Sequence, residues 1–578
     1  MTTFRVWAPD KRTVDLQLGN MRIPMERIAD WWQVDVAEAR AGADYAFVVE
    51  GSPPLPDPRA AWQPSGVHGL SRVVDHDAFA WSDRVWAPPA LEGGVLYELH
   101  VGTFTPAGTF AGVIQQLDHL VALGVTHVEL MPVHEFPGCR GWGYDGVDLF
   151  APHHAYGGPV GLKALVDACH GHGLAVILDV VYNHLGPDGN YLASFGPYFT
   201  DRYRTPWGSA LNLDGAGSHE VRRLLCDNAL MWLRDYHIDG LRIDAVHALI
   251  DTSAIHLLEQ LADEVDALQA NLERRLILIA ESDLNDPRVV RPRVQHGYGL
   301  DAQWNDDFHH ALHAVLTGER HGYYADFGTL SDIAAALQQA FVYGGRYSAF
   351  RRRYHGRMPT GLSGHRFLGY LQTHDQVGNR AAGERSSHLM TPARLKIGAA
   401  LVFTAPFIPM LFQGEEWGAS SPFLYFTDHQ DVDLARRISE GRRRELAAFG
   451  WDPSVIPDPR TPATFDQSVL RWQELREPPH AELLNWYREL VRLRQRTPAL
   501  RDGDLGRVEV RFDERDKWLI LQRGAITVAC NFSRKAQRIA LRSDHSLHVL
   551  LASEHGIAIT RNGISLPPES VGVFGPPD

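Results

Sequence analysis

Eight short apolar runs, each followed by a polar loop and most by a helical stretch, occupy residues 95 to about 412, and no other feature limits the fold so sharply. The runs are Val95-Leu-Tyr-Glu-Leu-His-Val, His127-Val-Glu-Leu-Met-Pro-Val, Ala175-Val-Ile-Leu-Asp-Val-Val, Gly240-Leu-Arg-Ile-Asp, Leu276-Ile-Leu-Ile-Ala-Glu, Leu300-Asp-Ala-Gln-Trp, Phe367-Leu-Gly-Tyr-Leu-Gln and Pro409-Met-Leu-Phe-Gln. Residues 112–123 and 161–172 between them carry helical apolar stripes. Near-continuous apolar strands separated by helices predict a parallel sheet buried on both faces, and eight of them predict a closed α/β (β/α)8 TIM barrel. A doubly wound sheet is the alternative, but no G-x-G-x-x-G follows the first strand.

The flanks read differently. Residues 1–88 alternate apolar and polar side chains (Phe4-Arg-Val-Trp, Val14-Asp-Leu-Gln-Leu, Trp32-Gln-Val-Asp-Val, Tyr45-Ala-Phe-Val-Val) and are punctuated by Pro and Gly. This predicts an N-terminal β-sandwich resembling carbohydrate-binding modules, with Trp86-Ala-Pro-Pro as a linker. The barrel is expected over 89–500, ending in an amphipathic helix over 480–500. Residues 501–578 alternate again and predict a C-terminal β-sheet domain.

Asp and Glu number 70 against 56 Lys and Arg, a net charge of −14 that disfavours nucleic acid as a partner. The four cysteines, Cys139, Cys169, Cys226 and Cys530, are scattered without CxxC or metal-ligand spacing, so neither a disulfide framework nor structural zinc is expected. The start, Met1-Thr-Thr-Phe-Arg-Val-Trp, lacks the pattern of a signal peptide. The greasiest stretch, 399–411, is broken by Pro406 and Pro409 and is too short to span a bilayer. No membrane association and a cytoplasmic location are the expectations.

In a barrel of this kind the chemistry sits where strands end. The third run leads through Asp179 to Asn183-His184, the fourth through Arg242 and Asp244 to His247, the fifth into Glu281 and the seventh into His374-Asp375. Any one of these carboxylates alone reads equally well as a barrel-mouth ion pair. Four on one rim do not, because buried charge is costly unless it has a task. Strand parity puts Arg242 and Asp244 on one face, where the guanidinium holds the carboxylate ionised, as a nucleophile requires. Glu281 follows four apolar residues, and desolvation there favours a protonated general acid. Asp283 has the same parity and is the rival acid.

Residues 179–184, 240–247, 279–283 and 371–379 closely resemble the four signature regions of the α-amylase family (glycoside hydrolase family 13). The resemblance implies Asp244 as nucleophile, Glu281 as acid/base and Asp375 as the third, substrate-distorting carboxylate. It makes Arg242, Asp179, His184 and His374 groups that bind sugar or orient the nucleophile, and Tyr144 in Gly141-Trp-Gly-Tyr-Asp a platform for the cleaved sugar. Asn183 matches a calcium ligand of many amylases, but no companion acidic loop accompanies it. No metal or cofactor is expected.

Within that family several segments resemble the maltooligosyltrehalose trehalohydrolases: the run from Gly141 to Pro152, Phe195-Gly-Pro-Tyr-Phe-Thr-Asp-Arg-Tyr, Thr373-His-Asp-Gln-Val-Gly-Asn-Arg, Phe412-Gln-Gly-Glu-Glu-Trp-Gly-Ala-Ser, Tyr425-Phe-Thr-Asp-His and Phe449-Gly-Trp-Asp-Pro. Branching enzymes, the first alternative, carry paired glutamates in the third region, where this chain has Glu281-Ser282. A general α-amylase is the second alternative, and a noncatalytic glucan-binding protein the reading from another class. The resemblance implies hydrolysis of the α-1,4 bond beside a terminal trehalose. Maltooligosyltrehalose and maltooligosaccharides would be its ligands, and a maltooligosyltrehalose synthase its functional partner. Tyr203 and Trp207 in the aromatic loop 185–215, with His247 and Glu416, are the candidates for the leaving-group side.

Overall fold

The computed structural model describes residues 1–577 apart from 206, 449, 453–454, 541–546 and 562. Phe449 and Pro453 of the run quoted above therefore lie outside the described residues. The eight predicted strands are present: β1 (Leu96–Leu99), β2 (His127–Leu130), β3 (Ala175–Val180), β4 (Gly240–Ile243), β5 (Ile277–Ala280), β6 (Ala302–Trp304), β7 (Phe367–Tyr370) and β8 (Ile408–Phe412). They pair in parallel, each with its neighbours in chain order, and β8 closes on β1 with Met410 opposite Leu96.

Each strand is buried on both faces, one toward the barrel axis and one toward the helices, which is why the runs are apolar throughout rather than alternating. The axial face holds Leu96, Ile177, Ile277, Ile279, Trp304, Leu368, Tyr370, Ile408 and Met410 as one apolar cluster. Two residues further along β3 and β4 the same face turns polar, with Asp179 and Arg242, so the layer nearest the strand ends is where charge begins.

The N-terminal strands form a three-stranded and a four-stranded antiparallel sheet. The expected linker is firmly docked. The indole of Trp86 donates to Asp239 Oδ1 at 2.8 Å and stacks on His170 at 4.3 Å between ring centroids. The single helix expected over 112–123 is two, Phe110–Ile114 and Leu117–Leu123. Its apolar stripe (Phe110, Val113, Leu117, Leu120) stays in phase across the break, so periodicity alone does not reveal it. The helix expected over 480–500 ends at Arg496, where Pro498 starts a separate 3-10 turn. At the C-terminus a five-stranded and a three-stranded antiparallel sheet pack beside the barrel, held by Arg523, which donates to the Thr404 carbonyl at 2.7 Å.

Besides the short antiparallel pair His134–Glu135 with Asp148–Pro152 after β2, two hairpins rise from the barrel loops. One pairs Phe199–Thr205 with Gly208–Leu211 after β3, and the other pairs Arg346–Ser348 with Arg353–His355 between β6 and β7.

Candidate active site

Arg242 organises the mouth. It is fully buried on β4, its guanidinium carbon 4.2 Å from the Trp304 ring centroid. One amino nitrogen, Nη1, donates to Asp179 Oδ2 at 2.7 Å and to Asp244 Oδ1 at 2.8 Å, while Nη2 lies 2.9 Å from Glu281 Oε2. A single planar cation thus holds the candidate nucleophile and the candidate acid by its two ends, a geometry that lysine's point charge could not reproduce.

The backbone adds a second tether. Asp244 follows β4 directly, and Ala245 turns the chain through the left-handed region at φ 40°. That turn points the Ala245 N–H at Glu281 Oε2, 2.9 Å away, and the next peptide N–H donates to the Glu281 carbonyl at 2.9 Å. A non-glycine residue in this region costs about 1–2 kcal/mol. Here the strained turn locks the two carboxylates together.

Asn183 completes the grip on Asp244, donating from Nδ2 to Oδ2 at 2.7 Å and to the backbone carbonyl at 3.1 Å. Its own Oδ1 faces His184 Nδ1 at 2.5 Å. With its amide committed in this way, Asn183 does not fit a calcium-ligand role. The His and acidic cluster found among the described residues lies elsewhere, at Glu135, His153 and His154, whose side chains hydrogen bond one another.

The environments of the carboxylates differ. Burial raises Glu281 above the usual carboxylate range against the pull of Arg242, and the neighbouring Asp244 raises it further. Asp375 is raised by burial too, opposed by His374. Asp179 is pushed up to about 7 by burial, with Arg242 opposing. His374 is raised as well, which for an imidazole favours the charged form. Burial disfavours its charge, but Glu98 and then Asp375 outweigh it and lift the imidazole to about 9. Glu98 Oε1 lies 2.5 Å from His374 Nδ1, and its Oε2 accepts from the His374 backbone N–H at 3.0 Å. Thr373 caps the short helix His374–Gly378 that presents Asp375, and Asn379 donates to Asp375 Oδ1 at 3.2 Å.

A cleft of about 590 Å³ joins these groups. Asp244, Glu281, Asp375, Tyr144, His184, His247, His374 and Trp207 all line it. Tyr144 donates to Asp179 Oδ2 at 2.6 Å and lies parallel to His374 at 5.2 Å, while Trp207 stacks on His184 at 4.8 Å. A smaller pocket of about 290 Å³ meets the cleft at Asp375 and Asn379, and is walled by Asp283, Asp306, His310, Tyr323, Phe350 and Arg351. A cavity of about 620 Å³ between residues 338–363 and 502–506 touches none of the residues named for the site, so volume does not locate the chemistry.

Three sequence candidates stand apart from the cleft. Glu416 is fully buried, facing Tyr97 Oη at 3.1 Å and His119 Nε2 at 2.7 Å, so it cannot reach a sugar. Tyr203 donates to Asp214 Oδ2 at 3.0 Å and stacks on Arg202 within its own loop. Asp179, 1% exposed, lies beneath Tyr144 and Arg242 and orients them rather than meeting ligand. The rival acid Asp283 is clamped through both oxygens by Arg351. With both oxygens engaged by Arg351, Asp283 has none left for a leaving group, and it lines the smaller pocket rather than the main cleft.

Glu98, Trp304 and Arg351 were not among the sequence candidates, and Asn183 was singled out only as a match to a calcium ligand. The strand-end rule applied to β1 would have found Glu98 in Tyr97-Glu98-Leu99. Nothing local signals Arg351, whose partner Asp283 is 68 positions away.

The alpha-amylase catalytic domain family matches residues 75–204, and a domain of unknown function (DUF3459) matches 503–573. Proteins named malto-oligosyltrehalose trehalohydrolase are similar over nearly the whole chain. The one from Arthrobacter ramosus is 50% identical over 91% of this chain and 92% of its own, and that from Mycobacterium tuberculosis 49% over 92% of each. The one from Saccharolobus solfataricus is 47% identical over 85% of each chain. The crystal structure of a provisional alpha amylase from Salmonella typhimurium superposes with a TM-score of 0.91 at 38% identity, over 99% of this chain and 97% of that one. A Paenibacillus barengoltzii pullulanase shares the fold at a TM-score of 0.73 and 20% identity, over 100% of this chain and 94% of its own. The chain belongs to the malto-oligosyltrehalose trehalohydrolase family, within the glycoside hydrolases of the alpha-amylase class.

Proposed function

We propose that this enzyme hydrolyses the α-1,4-glucosidic bond next to the terminal trehalose of maltooligosyltrehalose, releasing trehalose and a maltooligosaccharide with retained configuration. The observation that carries the mechanism is the shared guanidinium of Arg242, which holds Asp244 and Glu281 at its two ends. Double displacement needs the two carboxyl groups about 5–5.5 Å apart, close enough for one to attack the carbon whose leaving oxygen the other protonates.

Glu281, whose burial favours its protonated form, gives its proton to the departing trehalose oxygen as Asp244 forms a bond to the anomeric carbon. Arg242 and Asn183 hold Asp244 in its attacking orientation throughout. Glu281, now ionised, takes a proton from water, whose oxygen displaces Asp244 and restores both carboxyl groups. Asp375 and the imidazolium of His374 face the sugar as positive charge develops on it, and Tyr144 stacks beneath the ring.

Trehalose recognition is assigned to the smaller pocket, where Phe350 supplies an apolar face and Arg351 with Asp283 supplies donors and acceptors. Trp207 and His247 flank the main cleft on this reading, whereas Tyr203 and Glu416 have no part in it. We further propose that the enzyme acts in the cytoplasm, downstream of a maltooligosyltrehalose synthase that makes its substrate.

The test is to incubate the protein separately with maltotetraosyltrehalose and maltohexaose and to separate the products by chromatography. Rapid release of free trehalose with slow cutting of maltohexaose supports the proposal. Equal cutting of both reduces the enzyme to a general α-amylase. Longer, branched products without trehalose make it a branching enzyme.

A further inference from the structure

Beneath the catalytic rim lies a carboxyl group that the mechanism does not use. Glu129 on β2 is 1% exposed, and neither of its oxygens has a hydrogen-bond partner among the described residues. Its register partners are Glu98 on β1 and Ile177 on β3. Neighbouring strands run about 4.8 Å apart with their pleats in phase, so Glu129 shares the inward face with Glu98, with Asp179 one pleat nearer the rim. Asp179 Oδ1 is likewise buried without a partner.

The charge count in this layer is lopsided. Glu98, Glu129 and Asp179 lie beneath the rim, and among the described residues the cations that pair with Glu98 and Asp179 are His374 and Arg242. Arg242 is already spent on Asp179, Asp244 and Glu281, and His374 on Glu98 and Asp375. A second carboxylate beside Glu98 would have no counter-charge, a costly arrangement in a dry interior. Glu98 pairs with His374, and Asp179 Oδ2 accepts from Tyr144 and Arg242, which leaves Asp179 Oδ1 and both oxygens of Glu129 without partners among the described residues. Burial, then the charge of Glu98, raises Glu129 far above the carboxylate range, with Arg242 and His374 opposing and Asp179 adding to the rise.

We propose that Glu129 stands in the barrel as a neutral carboxylic acid whose single O–H donates to its register partner Glu98, and so acts as a positioning residue. Glu98 grips His374, and Asp179 grips Tyr144 and Arg242. Glu129 thereby steadies the Glu98–His374 side of the sugar-facing site from below, beside the Asp179 side. The inference rests on the catalytic reading only for its kinetic arm; the protonation arm is independent of substrate.

Glutamine keeps the shape and the donor without a charge to lose, whereas leucine removes the donor. Infrared difference spectra of the whole protein at pH 7, wild type minus Glu129→Gln, are expected to show the carbonyl band of a protonated carboxylic acid. The pH profile of kcat/KM on maltotetraosyltrehalose is expected to be superimposable for wild type and Glu129→Gln. Glu129→Leu is expected to lose at least tenfold in kcat/KM and to have a shifted alkaline limb. A missing carbonyl band overturns the proposal. So does a Glu129→Gln profile displaced by half a pH unit or more, or a Glu129→Leu profile identical to wild type. If the leucine variant does not fold, the infrared band and the glutamine profile still decide. A failed trehalose assay would leave the infrared result standing, so the two readings fail separately.

Discussion

Replacing Glu98 by glutamine puts the electrostatics of the site to a quantitative test. His374 is lifted in the folded protein from 6.5 to about 9, and Glu98 is the larger of the two anionic influences that overcome its burial. At about 1.4 kcal/mol per pH unit the rise corresponds to roughly 3 kcal/mol of preference for the imidazolium. The sign follows from linkage. A histidine raised on folding adds stability that is fully present below its unfolded value near 6.5 and is lost as pH climbs through about 9. In Glu98→Gln the burial of His374 is no longer outweighed, and the ring is neutral at pH 7. The variant is therefore expected to be less stable than wild type by roughly 3 kcal/mol at pH 6, with the gap narrowing toward pH 9. The alkaline limb of its kcat/KM profile is expected to move to lower pH by more than one unit. Denaturant titrations at pH 6 and pH 9 with parallel pH–rate profiles measure both effects. A stability gap independent of pH, or an unmoved alkaline limb, refutes the assignment of His374 as a Glu98-held imidazolium.

Three further substitutions separate roles that the sequence leaves mixed. Arg242→Met strands Asp179, Asp244 and Glu281 without their cation; it is expected to lower stability by about 3–5 kcal/mol and kcat by several orders of magnitude, read by calorimetry and initial rates. Arg351→Ala frees Asp283 and opens the smaller pocket; the ratio of trehalose release to maltohexaose cutting is expected to fall at least tenfold while maltohexaose cutting itself persists. Glu416→Gln leaves buried Tyr97 and His119 without their carboxylate; a lower melting temperature with an unchanged product ratio is expected, and a changed ratio would return Glu416 to the leaving-group side.

The barrel and its rim were legible because strand burial and strand parity are local properties. Eight apolar runs place eight strands, and counting by twos from Ile177 and Gly240 puts Asp179 and Arg242 on the axial face. The groups that tune the rim depend on contacts far apart in sequence. Glu98 reaches His374 across 276 positions and Arg351 reaches Asp283 across 68, and no spacing announces either pair. The aromatic loop misled for a related reason. Its composition suits sugar stacking, but Tyr203 turns to Asp214 in its own loop, while Trp207 finds His184 across the cleft mouth. Glu416 follows a strand end like the candidate catalytic carboxylates, yet the turn after β8 carries it back toward Tyr97 beneath the rim. Strand-end position selects candidates; the direction of the following turn decides which of them see substrate.

The central claim is that Asp244 forms the bond to sugar and Glu281 only moves protons. The most direct measurement uses Glu281→Gln with maltotetraosyl fluoride, whose fluoride leaves without acid assistance, while the missing base slows release of the sugar from the enzyme. Mass spectrometry of the digested protein is expected to find the maltotetraosyl group on the peptide containing Asp244, and on no peptide when Asp244→Asn is added. Sugar attached to any other carboxylate, or an unlabelled protein that still consumes the fluoride, would contradict the account.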